Sequence, residues 1–386
     1  MVKEKIVSIV ECADYNESKV FKAVEKAFTE IGGIKSYLNE NQRVLLKPNY
    51  LMAKEIDKAI TTHPTVLKAV VKLIRKNFKK VEIIIGESSG ADNELETKKA
   101  FKINKLADLQ KEFKVKLENF NNEKVRKIVN NENELFKSFY LAETVKNVDL
   151  IISLPKMKTH TLTIFTGAVK NFMGCLPGEG KKNMHITGFN TERFGTCVLD
   201  LYNEVSKTKC IALMDAVIGM EGNGPAHGTP KNAGIIIAGN DCLALDFVAS
   251  KLVGFKVNEI PFLRQAKEKS LLNENEVKVI GKQDLNFDFK KPSGTTNRVP
   301  GFMIKFFFEQ SKALPKANKE KCVKCMVCFN HCPVKAIDKN ININYKKCIK
   351  CYCCHELCKY NAMELKPKMV YSVLKRIRKL MERNSK

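Results

Sequence analysis

The chain of 386 residues has no tryptophan, few aromatic residues (8%) and a shortage of acidic side chains, 42 against 67 lysines and arginines. The missing tryptophan, beside abundant Lys, Asn and Ile, fits a low-GC genome. No run of about 18 apolar residues is present, so no bilayer-spanning helix is expected. The opening residues Met1-Val2-Lys3-Glu4-Lys5 lack the apolar stretch of a secretory signal, and a cytoplasmic location is expected. Nucleotide signatures are missing too. The glycine spacing in 174–181 is one residue too long for a Walker A loop, Lys182 stands where Ser or Thr would bind magnesium, and 222–228 is not G-x-G-x-x-G. ATP and NAD are therefore not expected. No Ser-His-Asp or Cys-His nucleophile is legible. Cys12, Cys175, Cys197, Cys210 and Cys242 read as buried hydrophobes, with Cys175 singled out by the loop that carries it.

The excess of basic residues gives a formal net charge of +25, which would suit nucleic acid or an anionic membrane. The basic residues are spread over nearly every predicted element, and no RNA-recognition, zinc-finger or helix-turn-helix signature accompanies them. A nucleic-acid partner is not expected, and solvated basic faces account for the charge.

Length and a 44% hydrophobic content suffice for one large and one small domain, because single cores stop growing at about 250 to 300 residues. Apolar β-rich runs alternate with helical patterns, which predicts an α/β domain with a mostly parallel sheet flanked by helices. Strands are predicted at 5–12, 43–47, 81–86, 150–154, 210–215 and 234–238, most of them continuous apolar stretches suited to burial on both faces. Helices are predicted at 18–31, from the spacing of Val20, Phe21, Val24 and Phe28, and at 65–77, 194–205 and 243–252. The predicted organisation is an α/β domain over 1–297, ending in an irregular connector from 285, then a linker over 298–318. A small α+β module over 319–366 follows, and a basic helix over 367–386. Segment 302–308 is a candidate for packing against the large domain.

Fourteen cysteines would suggest disulfides in a secreted chain, but nine of them lie between Cys322 and Cys358. Thiolate metal ligation in a reducing compartment explains that clustering better. Cys322, Cys325 and Cys328 are spaced by two residues, and Cys332 follows after three, with Pro333 behind it. The run repeats at an offset of 26 residues as Cys348, Cys351, Cys354 and Cys358. Three cysteines in a tight loop reach three irons of one cubane, whereas the fourth points away and ligates the other cluster. Two [4Fe-4S] clusters are thus expected, one on Cys322, Cys325, Cys328 and Cys358, the other on Cys348, Cys351, Cys354 and Cys332. Over about 50 residues the segment resembles the two-cluster bacterial ferredoxins. Lys359 departs from that family, which usually has proline there, and Cys353, a ninth cysteine, is read as a non-ligand tucked against the second cluster. Zinc knuckles would show paired C-x2-C motifs with a longer loop between them. About eight irons and eight sulfides, and no stoichiometric zinc, are expected. Electron relay is the expected role of the pair, with a structural staple as the alternative.

In the large domain, polar motifs sit at predicted strand ends, where open α/β sheets place ligand sites. Lys47-Pro48-Asn49 ends the second strand, Thr62-His63-Pro64 opens a helix, and Gly86-Glu87-Ser88-Ser89-Gly90 follows the third strand. Pro155 to His160 follows the strand at 150–154, with Gly167-Ala168-Val169-Lys170-Asn171 and Gly174 beyond it. Asp215 ends a later strand and the glycine-rich 222–228 comes next. Four of the six histidines, His63, His160, His185 and His227, fall in or beside these segments. Lys158, His160, Lys170 and Asp215 are the candidate catalytic residues. Together with Lys47, the two lysines and the histidine supply positive charge and a proton donor to an anionic small molecule, and Asp215 would orient a histidine or bind a metal. Lys47, Asn49, Asn171, Gly222 and Gly224 are candidate cofactor-binding residues. The plainer alternative is that the glycines serve left-handed turns and the lysines are solvated.

At these motifs the chain resembles the DUF362 family, over about residues 44–254, carried by Lys47-Pro48-Asn49, Lys158-Thr159-His160, Gly167 to Asn171 and the 222–228 loop. The resemblance implies a domain architecture and an iron–sulfur association, but no reaction. Two functions follow. In one, the clusters pass electrons to a substrate or cofactor bound by the large domain. In the other, the chain is a ferredoxin-like carrier or assembly factor whose large domain is a partner-binding platform. Non-redox metal chemistry at the histidines is a third. Beyond 367, Val370, Val373, Leu374, Ile377 and Leu380 lie opposite Lys375, Arg376, Arg378, Lys379 and Arg383. An amphipathic helix is expected there, docking on the protein itself or on a redox partner protein, with an anionic membrane surface as the alternative.

Overall fold

The computed structural model describes residues 4–90, 94–292 and 314–366. The predicted linker up to residue 313, the segment 302–308 and the basic tail 367–386 lie outside the described residues. Fourteen strands are present among the described residues. The first nine are β1 (Lys5–Glu11), β2 (Arg43–Pro48), β3 (Glu82–Glu87), β4 (Lys116–Asn119), β5 (Val125–Val129), β6 (Ser138–Ala142), β7 (Leu150–Leu154), β8 (Lys156–His160) and β9 (Ile164–Phe165). The rest are β10 (Lys209–Glu221), β11 (Thr229–Gly239), β12 (Val277–Gly281), β13 (Leu314–Ala317) and β14 (Met363–Lys366). The main sheet runs in the order β12-β1-β11-β10-β7-β2-β3-β4, with β8 pairing to β10 and β9 beyond it. Along that path every pairing is parallel except those of β11, which lies antiparallel between β1 and β10.

The central strands are apolar on both faces because helices cover both. Val44, Leu46, Ile83, Ile85, Leu150 and Ile152 enter one core layer and Leu45, Ile84 and Ile151 the other, as a side-chain period of two requires. Helices Glu17–Glu30 and Pro64–Asn77 cover the first layer, and helices Thr191–Val205 and Cys242–Leu252 the second. Each helix starts where a side chain can accept from its first amides: Asn16, His63 ahead of Pro64, Asn190 and Asp241.

The mostly parallel sheet matches the expectation, but three stretches differ. β10 and β11 run well past 210–215 and 234–238, because pairing resumes beyond an irregularity at Ala216–Ile218 and carries Glu221 onto Thr229. Segment 156–160, expected as a strand-end loop, is β8, with Lys156 paired to Asp215 and Lys158 to Met220. Lysines at alternate positions gave it no apolar signal. Region 94–142, for which no elements were expected, holds helices Glu94–Ile103 and Leu106–Phe113 and strands β4 to β6.

In the cysteine module, the duplication extends to the backbone. Helices Val327–Asn330 and Cys353–Glu356 are offset by the same 26 residues as the cysteine runs. Positive φ recurs at Lys324 and Lys350 and at Met326 and Tyr352, left-handed residues that turn the loop between successive thiols, and at Lys335 and Asn361, three residues past the last thiol of each run. The amide of Ala336 donates to Cys332 Sγ (3.1 Å) and that of Ala362 to Cys358 Sγ (3.2 Å). Strands β13 and β14 pair antiparallel and close the module.

The module docks on the large domain. Tyr352 packs into the large core, and His227 Nε2 lies 2.5 Å from His355 O. Lys359, in the position where the bacterial ferredoxins carry proline, pairs with Glu96 at 2.6 Å.

Candidate functional site

The eight cysteines of the two runs line two separate cavities. Cys322, Cys325, Cys328 and Cys358 face one, and Cys332, Cys348, Cys351 and Cys354 face the other. The last cysteine of each run therefore crosses to the cavity of the opposite run. Four thiols in a setting otherwise apolar, with Val323 and Ile341 at the first and Ile337 and Ile343 at the second, fit a [4Fe-4S] cubane, which takes four thiolates. Cys325 is exposed, whereas Cys351 is buried.

A third cavity, of about 90 Å³, lies where the module meets the C-terminal edge of the parallel strands. Asn49, Lys170, Asn171 and His185 line it from the large domain, and Cys353 and Glu356 from the module. Asn171 sits in the helix after β9, and its amide donates to Lys47 O (2.8 Å) and Ser153 Oγ (3.1 Å) while accepting from Asn49 Nδ2 (3.2 Å). Asn49 Oδ1 has no hydrogen-bond partner among the described residues. Beneath it, the fully buried Lys47 ammonium pairs with Glu87 and donates to Pro48 O. Gly174 leaves room for that pair, since a Cβ there would stand 1.9 Å from Glu87 Oε1 and 2.5 Å from Lys47 Nζ.

Around this cavity His160, His185 and Glu356 are buried and Lys170 is half-buried. Burial lowers the pKa of Lys170, against the pull of Glu356 and Cys353, and its ammonium makes no hydrogen bond among the described residues. Burial pushes Glu356 up to about 7, opposed by Lys170 and Lys158. Burial and then Lys170 depress His185 to about 3. His160 Nδ1 accepts from the amides of Leu162 (3.0 Å) and Thr163 (3.2 Å), so the ring proton sits on Nε2. Burial holds this imidazole neutral, its pKa well below the usual range. Nε2 lies 3.4 Å from Glu356 Oε1, too poorly aligned for a hydrogen bond.

Lys170, Asn49 and Asn171 thus line the cavity, Lys47 underlies it, and His160 approaches it through Glu356. Lys158 is buried one step back on β8, donating to Ile60 O at 2.7 Å. Asp215 belongs to another network. It pairs with Lys156 (2.9 Å), accepts from Tyr15 OH (2.9 Å), and accepts from the backbone amide, not the imidazole, of His63 (2.9 Å). Gly222 and Gly224 clasp β8. Thr159 Oγ1 donates to Gly222 O (2.8 Å), and a Cβ on Gly224 would stand 2.1 Å from Thr159 O. The amides of Ala168 and Val169, which could have met an external anion, donate instead to Asp246 (2.6 and 3.0 Å). Sequence reasoning left Glu87, Cys353 and Glu356 out of the site. The available signal was the internal repeat, in which Val327 and Asn330 stand where Cys353 and Glu356 stand in the second run.

The sequence profile of the family described as "Domain of unknown function (DUF362)" matches residues 44–251, more than half of the chain. The chain belongs to the DUF362 family. A second profile, described as "4Fe-4S binding domain", matches residues 315–338, so an iron–sulfur ferredoxin domain follows the DUF362 domain. The thylakoid-associated protein sll1697 of Synechocystis sp. is 27% identical over 275 residues, 70% of this DUF362 chain and 80% of that protein. Among solved structures, the lactate racemase apoprotein from Thermoanaerobacterium thermosaccharolyticum aligns with a TM-score of 0.43 and 12% identity over 66% of this chain. That alignment spans 57% of the racemase. No helix of the described residues is long and apolar enough to cross a membrane.

Proposed function

We propose that this DUF362 protein passes single electrons through two [4Fe-4S] clusters to a small anionic substrate or cofactor held in the cavity between its two domains. The observation that carries the reading is the short helix Cys353–Glu356: Cys354, with Cys351 just ahead of the helix, faces the second cysteine cavity, while Cys353 and Glu356 line the interdomain cavity. Electrons leaving the second cluster would emerge beside Lys170, Asn49 and Asn171. Lys170 offers its ammonium to an anion and Asn49 the amide hydrogen that it does not give to Asn171, while both amide hydrogens of Asn171 are held by Lys47 O and Ser153 Oγ. Exposed Cys325 at one end and buried Cys351 at the other support a direction, with a redox partner protein loading the first cluster and the second feeding the cavity.

Anaerobic purification, iron and sulfide analysis and EPR of the reduced protein test the relay. About eight irons and eight sulfides per chain are expected; zinc filling the eight thiolates would overturn it. Lys170→Ala tests the cavity. A small molecule retained by the purified protein should be lost in this variant with the iron content unchanged. A fully loaded protein that holds no such molecule and is indifferent to Lys170→Ala would instead be a carrier whose large domain serves as a platform.

A further inference from the structure

Cys353 is surplus to the two interleaved sets, and three observations give it a purpose. Its Sγ, the Sγ of Cys351 and a ring nitrogen of His185 all lie within 4.8 Å of one another. His185 is 6% exposed and stacks on Phe194 with ring centroids 4.7 Å apart, and its Nδ1 has no hydrogen-bond partner among the described residues. The internal repeat has Val327 at the equivalent position, so the extra thiol exists only in the second half, the one that carries Tyr352, His355 and Lys359 onto the large domain.

We infer that Cys353 and His185 hold one thiophilic divalent metal ion against the second cluster, with the Cys351 thiolate bridging the ion and a cluster iron. The inference rests on the second cluster proposed above. A thiolate sulfur bound to one iron keeps lone pairs for a second metal. Two thiolates and an imidazole make a donor set suited to zinc-like ions, and three protein ligands leave a fourth, tetrahedral position open. Cys353 and His185 line the same cavity as Asn49, Lys170 and Asn171, so an anionic ligand there would lie near both the metal and the Lys170 ammonium. The site departs from the expectation, drawn from cysteine spacing, that the chain holds no stoichiometric zinc.

The anaerobic full-length holoprotein, dialysed against Zn²⁺ and analysed for iron and zinc, tests this. One zinc per chain above about eight irons is expected, and Cys353→Ser and His185→Ala should each lose the zinc while keeping the iron. Co²⁺ in place of Zn²⁺ should broaden the EPR signal of the reduced second cluster in the parent and in neither variant. Full iron with no zinc, or zinc held equally by both variants, overturns the metal site and leaves the relay standing. Loss of about half the iron in Cys353→Ser would make Cys353 a cluster ligand and also overturn it. Only about four irons in the parent would sink the second cluster, and this site with it.

Discussion

Lys47 is fully buried with its ammonium against Glu87, and burial pushes the Glu87 pKa up while Lys47 pulls it down. Removing one member of such a pair strands the other in a medium of low polarity. Glu87→Ala should therefore lower stability by about 3–5 kcal/mol, measured by chemical denaturation of the anaerobic holoprotein. A methyl group on Gly174 would meet the same pair, so Gly174→Ala should cost about 1–3 kcal/mol by overpacking. If that variant is as stable as the parent, the close approach of Gly174 to the pair is wrong. Lys47, Asn49, Lys170 and Asn171 were legible as neighbours because lysines and amides at the ends of adjacent strands come together at one edge of the sheet. Glu87 was not, because a carboxylate after a strand looks the same whether it meets water or a buried ammonium.

β8 carries Lys156, Lys158 and His160 on one face by the period of two. Lys156 is matched by Asp215, whereas among the described residues Lys158 has only the Ile60 carbonyl, and burial drives its pKa well down, with Lys170 and Lys156 adding to the effect. A lysine whose folded pKa lies below its unfolded one takes up its proton more readily when unfolded, so it lowers stability at neutral pH and the deficit shrinks as pH rises toward about 10.4. Lys158→Met should remove that slope and raise stability at pH 7 by roughly 1–4 kcal/mol, read from unfolding curves across pH. Asp246, which caps the helix Ala168–Asn171, has the opposite sign. Burial pushes its carboxyl from 3.8 up to about 7, so the unfolded chain gives up the proton first and stability falls between those values. Asp246→Asn should flatten that fall. Apolar strands such as β2 and β7 could be read from sequence because their burial writes itself as a continuous run. β8 could not, because its charges are paired by residues far away in the chain, and β10 was cut short where an irregularity broke its pattern.

At the scale of the whole molecule, the cysteine runs were the most legible feature, since cluster chemistry fixes both spacing and pairing, and the two cavities group the thiols in the sets that the spacing predicts. On the proposed two-cluster reading, Cys332→Ser should strip iron from the second cluster, although the residue lies in the first run; iron falling to about half, with the EPR signal of the first cluster retained, is the expected result. The docking of module on domain was not legible, because Tyr352, His355 and Lys359 reveal their partners only once distant segments meet. The bond from Lys359 to Glu96 has one more implication. A ferredoxin ordinarily finds its acceptor by diffusion, but this one is fastened to its neighbour within the same chain. Diluting the protein should leave any internal electron transfer as fast as before and slow only the encounter with whatever loads it.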